Sequence, residues 1–249
     1  LRSHPKWCSL YKREWWIDLG YPDARKYTID IVKDILSKYD IDGLHFDYLR
    51  YPGKDFDDDE SYRQFGAKAN KNDWRRNNIN LFLSEINKFV KETKPYVKIG
   101  AAPIGIYKNI PGINGWSSYD NLFQDSKYWV DNGLVDYITP QTYWDTRHTR
   151  LDPPFETIIK EWKKLSPKGN IYPGIGFWKK NISSEIELQI KLIRENGMNG
   201  FAFYRAEHVL ESAKIKNIFS RPAQIPQIKV ASNNFSAKDI ILEAEPKND

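Results

Sequence analysis

Strand-like runs alternate with helix-like runs from the start of the chain to about residue 218, and this alternation leaves few folds open. The first helix follows Tyr21-Pro-Asp and carries Ala24, Tyr27, Ile31, Ile35 and Tyr39 at three-to-four spacing, which predicts its buried face. A strand over residues 44–49 comes next. An acidic stretch (Asp55, Asp57, Asp58, Asp59, Glu60) reads as a solvated loop, because the Gly and Glu of a calcium loop are missing. A long helix follows, with Ile79, Phe82, Ile86, Phe89, Val90 and Thr93 predicted inward. Further strands read over residues 97–105, 135–144, 170–178 and 200–205, each separated by a helical stretch. The helix after Asn181 carries a capping box, Ser184 with Glu187, and stops at Gly197.

These are five strand-plus-helix units. A doubly wound sheet would show a Gly-rich phosphate loop after its first strand, and none is present. A closed parallel barrel takes eight units. The expected fold is therefore α/β, a TIM-type (β/α)8 barrel of which this chain supplies about strands four to eight, the first three lying upstream. Residues 1–221 form that barrel portion. Residues 222–249, with Pro222, Pro226 and two short strand-like runs, read as a linker and the start of a β-module.

Composition narrows the partners. With 249 residues, 40% apolar and 29% charged, the chain can bury a substantial core. The net charge of +5 comes from interleaved Lys, Arg, Asp and Glu rather than a basic block, which argues against nucleic acid. Nine Trp and fifteen Tyr exceed what core filling needs, and flat rings also stack on sugar faces. A lone Cys8 rules out an intrachain disulfide framework. No run approaches the roughly twenty apolar residues of a membrane span, and the opening residues contain no apolar secretory segment.

Side chains alternate across a strand, so His45 and Asp47 share one face while Leu44 and Phe46 share the other. The apolar pair suits the helix layer. Asp47 then lies near the carboxyl end of its strand, where barrel enzymes place catalysis. A polar pair inside an apolar strand costs stability unless it is paired or used; a structural carboxylate paired with Arg50 is the alternative. Alternation also groups Thr139, Gln141 and Tyr143, with Trp144 and Asp145 at the strand exit. Trp178 falls at the exit of the next strand, and Tyr204, Arg205 and Glu207 at that of the last. No cofactor motif is read. A metal held by His45 and Asp47 with His4, His148 or His208 is the rival chemistry, although those histidines lack ligand spacing.

The stretch Asp42-Gly-Leu-His-Phe-Asp-Tyr-Leu-Arg-Tyr-Pro52 resembles the central motif of the bacterial glycosyl-hydrolase-like 10 family. His4-Pro-Lys-Trp7, Trp16-Ile-Asp-Leu-Gly20, Asp73-Trp-Arg-Arg-Asn77 and Val135-Asp-Tyr-Ile-Thr-Pro-Gln-Thr-Tyr-Trp144 agree in the same order. The resemblance implies a TIM-type barrel exported to the bacterial envelope, with glycosidase activity that includes action on peptidoglycan strands. Many members of that family carry an Asp where this chain has Tyr48; alternation points residue 48 away from the lumen, so the change should be tolerated.

Glycoside hydrolysis takes two carboxyl groups, about 5.5 Å apart for retention and roughly 6.5–9.5 Å for inversion. Asp47 is the expected nucleophile or stabiliser, Asp145 the expected general acid, and Glu207 the next candidate. His45, Arg50, Tyr51, Trp74, Arg75, Gln141, Tyr143, Trp144, Trp178, Tyr204 and Arg205 are expected to hold an oligosaccharide or polysaccharide. The alternative from another class is a glycan-binding barrel without catalysis.

Overall fold

A computed structural model describes residues 3–113, 115–147 and 153–219. The chain opens with an antiparallel hairpin, β1 (Cys8–Tyr11) and β2 (Glu14–Ile17), closed by Lys12 and Arg13, both in the left-handed region at φ 47° and 71°. Then follow α1 (Pro22–Lys38), β3 (Gly43–Phe46), α2 (Asp59–Phe65), α3 (Lys71–Thr93), β4 (Lys98–Ala101), α4 (Ser118–Asn121), α5 (Ser126–Asp131) and β5 (Tyr137–Ile138). The remainder comprises α6 (Phe155–Leu165), β6 (Gly174–Gly176), α7 (Lys180–Ser184), α8 (Ile186–Glu195), β7 (Ala202–Tyr204), α9 (Ala206–Leu210) and α10 (Ala213–Ile218).

β3, β4 and β5 pair in parallel, as do β6 and β7, and a parallel bridge from Ile138 to Ile171 joins the two groups. Five parallel segments thus follow one another in space in chain order, with helices between them. The fold is mixed α/β, and its parallel pairing agrees with the alternation in the sequence. The regular strands are shorter than the extended runs in the sequence because Pro103, Pro140 and Pro173 fall inside those runs and have no N–H to donate. Their carbonyls still pair forward, accepting from Gln141, Gly174 and Ala202 at 2.9, 2.8 and 3.1 Å.

One face of this array meets the helices. Ile99, Ala101, Ile138 and Ile171 pack with Ile79, Phe82, Leu83, Ile86 and Val90 of α3, while Ile175 and Phe177 pack with Ile186, Ile190 and Ile193 of α8. Each Ile, Leu, Val or Phe among them contributes about 1.5–3 kcal/mol when fully buried. Four sequence expectations need correction, the first being Thr93, predicted inward but exposed at the end of α3. α1 buries Ala24, Ile29, Val32 and Leu36, and leaves Tyr27, Ile31, Ile35 and Tyr39 exposed, because the face that meets α3 is the one rotated away from the predicted stripe. The acidic stretch is not wholly solvated, since Asp58 is buried against Arg75 and α2 begins at Asp59. The capping box does not form: Ser184 closes α7 and donates to the Asn181 carbonyl at 2.8 Å, and α8 starts after Glu185. Gly197 does end that helix, at φ 63°. Residues 222–249 and His148 lie outside the described residues.

Candidate active site

The other face of the array is built by alternation, and small and large residues interlock on it. β4 offers Gly100 and the ring of Tyr137 lies over it, so closely that a Cβ at Gly100 would sit 2.1–2.5 Å from ring atoms. β6 offers Gly174 and Gly176 beneath Tyr143; a Cβ on Gly176 would fall 2.8 Å from Trp178 and 3.1 Å from Tyr143. The glycines therefore lower the floor on which these aromatic side chains rest. His45 stands beside Tyr137, their ring centroids 5.6 Å apart, with Nδ1 3.1 Å from the Tyr137 hydroxyl and Nε2 3.3 Å from Thr139 Oγ1. Loss of water around the ring lowers its pKa, and Asp47 pulls the other way.

Asp47 lies one residue beyond β3 and is exposed. Its Oδ1 accepts from Gln141 Nε2 at 3.1 Å and from the Tyr48 amide at 2.8 Å. Gln141 also donates to the Ala102 carbonyl at 3.3 Å, so its amide is oriented by two strands. Beside this carboxylate three rings form a cup: Tyr143 to Trp178 at 4.8 Å, Tyr143 to Tyr204 at 5.7 Å and Trp178 to Tyr204 at 5.4 Å. Trp178 and Tyr204 stay 41% and 45% exposed, unusual for large rings unless something covers them in use. Burial first, then the charges of Asp47 and Tyr204, hold the Tyr143 phenol well above its ordinary pKa. It remains a neutral donor.

Comparison with known proteins establishes the family. The chain matches the family described as Glycosyl hydrolase-like 10 over residues 2–191. It belongs to that family. Among its relatives is the glycosyl hydrolase YngK of Bacillus subtilis (strain 168), 29% identical, with the match covering 99% of this chain and 54% of that protein. The glycosyl hydrolase DigH of Escherichia coli (strain K12) is 33% identical across 74% of this chain and 44% of its own length. The chain therefore spans about half the length of the curated relatives it matches. Among solved structures, bee venom hyaluronidase aligns over 80% of this chain and 61% of its own, at 12% identity and a TM-score of 0.38, too distant to inform the site.

Within this glycosyl hydrolase-like 10 chain, His45, Asp47, Gln141, Tyr143, Trp178 and Tyr204 gather at one place. Arg50 lies at its edge. Arg205 and Glu207 follow Tyr204 and pair with each other, Nε to Oε1 at 2.7 Å, both exposed. The remaining sequence candidates are elsewhere. Tyr51 is buried among Phe56, Phe123 and Arg75, its hydroxyl accepting from Asn78 at 3.0 Å. Trp74 is buried over Gly20 and beside Tyr62. Arg75, 2% exposed, donates to both carboxylate oxygens of Asp58 at 2.7 and 2.6 Å and to two backbone carbonyls. Trp144 faces the helix side, against Gly105 and the main core.

Asp145 is buried rather than open. Its oxygens accept from the Arg147 amide at 3.1 Å, from the Arg147 guanidinium at 3.1 and 2.5 Å, and from Asn181 Nδ2 at 2.9 Å. The bond from Arg147 holds its carboxyl below the usual carboxylate pKa, helped by Asn181 and opposed by burial. That environment keeps it ionised, the opposite of what a proton donor needs.

Sequence reasoning overlooked Tyr137 and Tyr172, whose rings meet edge to face at 5.9 Å, although alternation from Thr139 and Trp178 would have found both. It also did not bring Trp16 together with Tyr48. Tyr48 takes φ 56°, so alternation ends at Asp47, and its ring turns toward Trp16 at 6.1 Å. A bulky residue in this conformation is uncommon outside sites that require it. Among the described residues no three His, Cys, Asp or Glu side chains converge in a way that could hold a metal ion, and no helix is long and apolar enough to cross a membrane.

Proposed function

We propose that this chain is the carboxyl-terminal part of a TIM-type barrel glycoside hydrolase, acting on a polysaccharide or peptidoglycan-type glycan outside the cytoplasm. The observation that carries the reading is Asp47, oriented by Gln141 and the Tyr48 amide beside the open cup of Tyr143, Trp178 and Tyr204. A sugar ring seated on that cup would present its anomeric carbon to a fixed carboxylate. The barrel reading is supported by five parallel segments in chain order, by the exposed apolar stripe of α1, and by the edge of β3 that pairs with no strand among the described residues. Preceding βα units would cover both. Residues 222–249 are proposed as a separate linker and module.

In this mechanism Asp47 attacks the anomeric carbon or stabilises the oxocarbenium-like transition state as the glycosidic bond breaks. Gln141 holds the carboxylate, and Tyr143 lends a neutral hydroxyl. Glu207 takes the place of Asp145 as first candidate for protonating the leaving oxygen: it stands on α9, three residues beyond Tyr204 of the cup, and its pair with Arg205 is exposed, so Arg205 must release it for it to serve as the acid. Release of new reducing ends from a panel of polysaccharides and peptide-free peptidoglycan tests the assignment. Asp47→Asn should lower turnover by at least about a thousandfold and Glu207→Gln by roughly a hundredfold, with Asp145→Asn within a few-fold of wild type. Unchanged turnover in Asp47→Asn would end the proposal.

A second reading has one observation in its favour. Among the described residues no carboxylate shares a hydrogen-bond partner with Asp47. A glycan-binding barrel needs no second acid, and it would bind oligosaccharide through the cup with no new reducing ends.

A further inference from the structure

Next to the cup, on the side of the amino-terminal hairpin, lies a feature the mechanism above does not use. The guanidinium carbon of Arg50 sits 4.8 Å from the ring centre of Tyr48 and 5.6 Å from that of Trp16. The guanidinium thus lies against two aromatic residues that also touch each other, one from β2 and one from the turn that follows Asp47, their ring centres 6.1 Å apart. Trp16 is brought there because the hairpin docks on the loop after β3, with Ser9 donating to the Asp57 carbonyl at 2.7 Å and Tyr11 to Asp55 at 2.8 Å. The Arg50 backbone is fixed as well: the Leu49 carbonyl accepts from Gln124 at 3.1 Å, and the Tyr51 amide donates to the Leu122 carbonyl at 3.1 Å.

A guanidinium so placed is partly stripped of water, which lowers its pKa, and that loss is normally repaid by a carboxylate. Arg75, Arg76, Arg147 and Arg205 each have one. Arg50 has no carboxylate within ion-pair distance among the described residues; Asp47 and Glu14 act on it only through space. Packing against the two rings confines the guanidinium, and the donors that the Tyr48 hydroxyl does not take are left for a planar anion, which arginine recognises in two-pronged fashion. Tyr48 is 61% exposed, so the stack opens to solvent at the mouth of the site.

We infer that Trp16, Arg50 and Tyr48 form a subsite for a sugar bearing a free carboxylate, adjoining the position where Asp47 acts. The inference rests on the carbohydrate reading above and adds charge selection to it. The two rings supply an apolar ledge for the sugar face, and the guanidinium edge takes the carboxylate. Discrimination then arises one residue position away from the bond that is cut, so it selects among glycans without altering the chemistry at Asp47.

Equilibrium binding of the full chain to two acidic tetrasaccharides tests this. One carries its carboxylate on the ring, as in alternating N-acetylhexosamine and glucuronate, and the other on a lactyl ether, as in alternating N-acetylglucosamine and N-acetylmuramic acid. Each is compared with its own carboxyl methyl ester, which differs only in charge. At least one acid should bind roughly tenfold more tightly than its ester, and the preferred member identifies where the carboxylate is carried. Arg50→Gln should bring that ratio to about one, and Arg50→Lys should restore part of it. A purely structural stack would lower stability without moving the ratio, so equal acid-to-ester ratios in wild type and Arg50→Gln overturn the inference. Equal binding of acid and ester by wild type overturns it too, with the carbohydrate reading intact. If no tetrasaccharide, acid or ester, binds at all, both readings fall.

Discussion

Replacing Asp18 with Asn should stabilise the fold at neutral pH while leaving it nearly unchanged near pH 4. Asp18 is 1% exposed, and burial, the dominant cause, raises its pKa to about 6 against the hydrogen bonds from Ser61 and Gly20; Asp58 adds to the rise and Arg75 opposes it. Its Oδ1 accepts from the Gly20 amide at 2.8 Å, and its Oδ2 lies 2.5 Å from Ser61 Oγ, which is itself 3.0 Å from the Asp58 carbonyl. A serine hydroxyl has one proton. If Asp18 is ionised, Ser61 can serve either the carboxylate or the carbonyl. A neutral Asp18, or an Asn, donates to Ser61 and frees the hydroxyl for the carbonyl, so both contacts are made. The folded pKa lies above the unfolded value of about 3.9. Asp18 therefore contributes its full stability below that value and loses it as pH rises through about 6. Roughly two pKa units correspond to about 3 kcal/mol at most. Urea unfolding of both proteins at about pH 4 and pH 7.5 gives a double difference in which the groups that do not interact with Asp18 cancel. The Asn variant should gain about 2–3 kcal/mol over wild type between the two pH values. A double difference near zero, or one favouring wild type, would refute the reasoning.

Other substitutions probe the remaining layers. Gly100→Ala drives a Cβ into the Tyr137 ring and should cost about 1–3 kcal/mol by thermal unfolding, with most of the loss recovered when Tyr137→Leu is added. Arg75→Ala leaves Asp58 buried with only Lys71, 2.7 Å away, and should cost about 3–5 kcal/mol in urea unfolding. The hairpin turn places two bulky residues at positive φ; Lys12→Asn with Arg13→Gly matches the turn's demand and should add about 1 kcal/mol, less whatever Lys12 gains over Tyr11 and Trp116.

The strand order was legible because five parallel segments repeat one local unit, and hydrophobic alternation is a local property. The rotation of α1 was not. Its sequence carries apolar residues around much of its circumference, Ala24, Ile29, Val32 and Leu36 on one side and Tyr27, Ile31 and Ile35 on another. Which side is covered depends on α3, more than thirty residues downstream. Proline gave a similar partial signal. Its missing N–H marks where a ladder weakens, but whether the carbonyl still pairs depends on the neighbouring strand, as at Pro140 and Gly174.

The same division explains the site. Asp47, Gln141, Tyr143 and Tyr204 come together because each lies on an extended segment whose parity fixes its face. Tyr51, Trp74, Arg75 and Asp145 are buried away from it, and the sequence did not show this for one reason: each sits just past a strand or on a helix, where parity gives no direction and a polar or aromatic side chain looks the same whether it serves the core or a ligand. Arg75 and Arg50 make the point from opposite sides. Both are arginines stacked on aromatic rings near the same strand, and the sequence does not separate them. Asp58 does, because it neutralises Arg75 within the protein, whereas Arg50 has no carboxylate within ion-pair distance among the described residues.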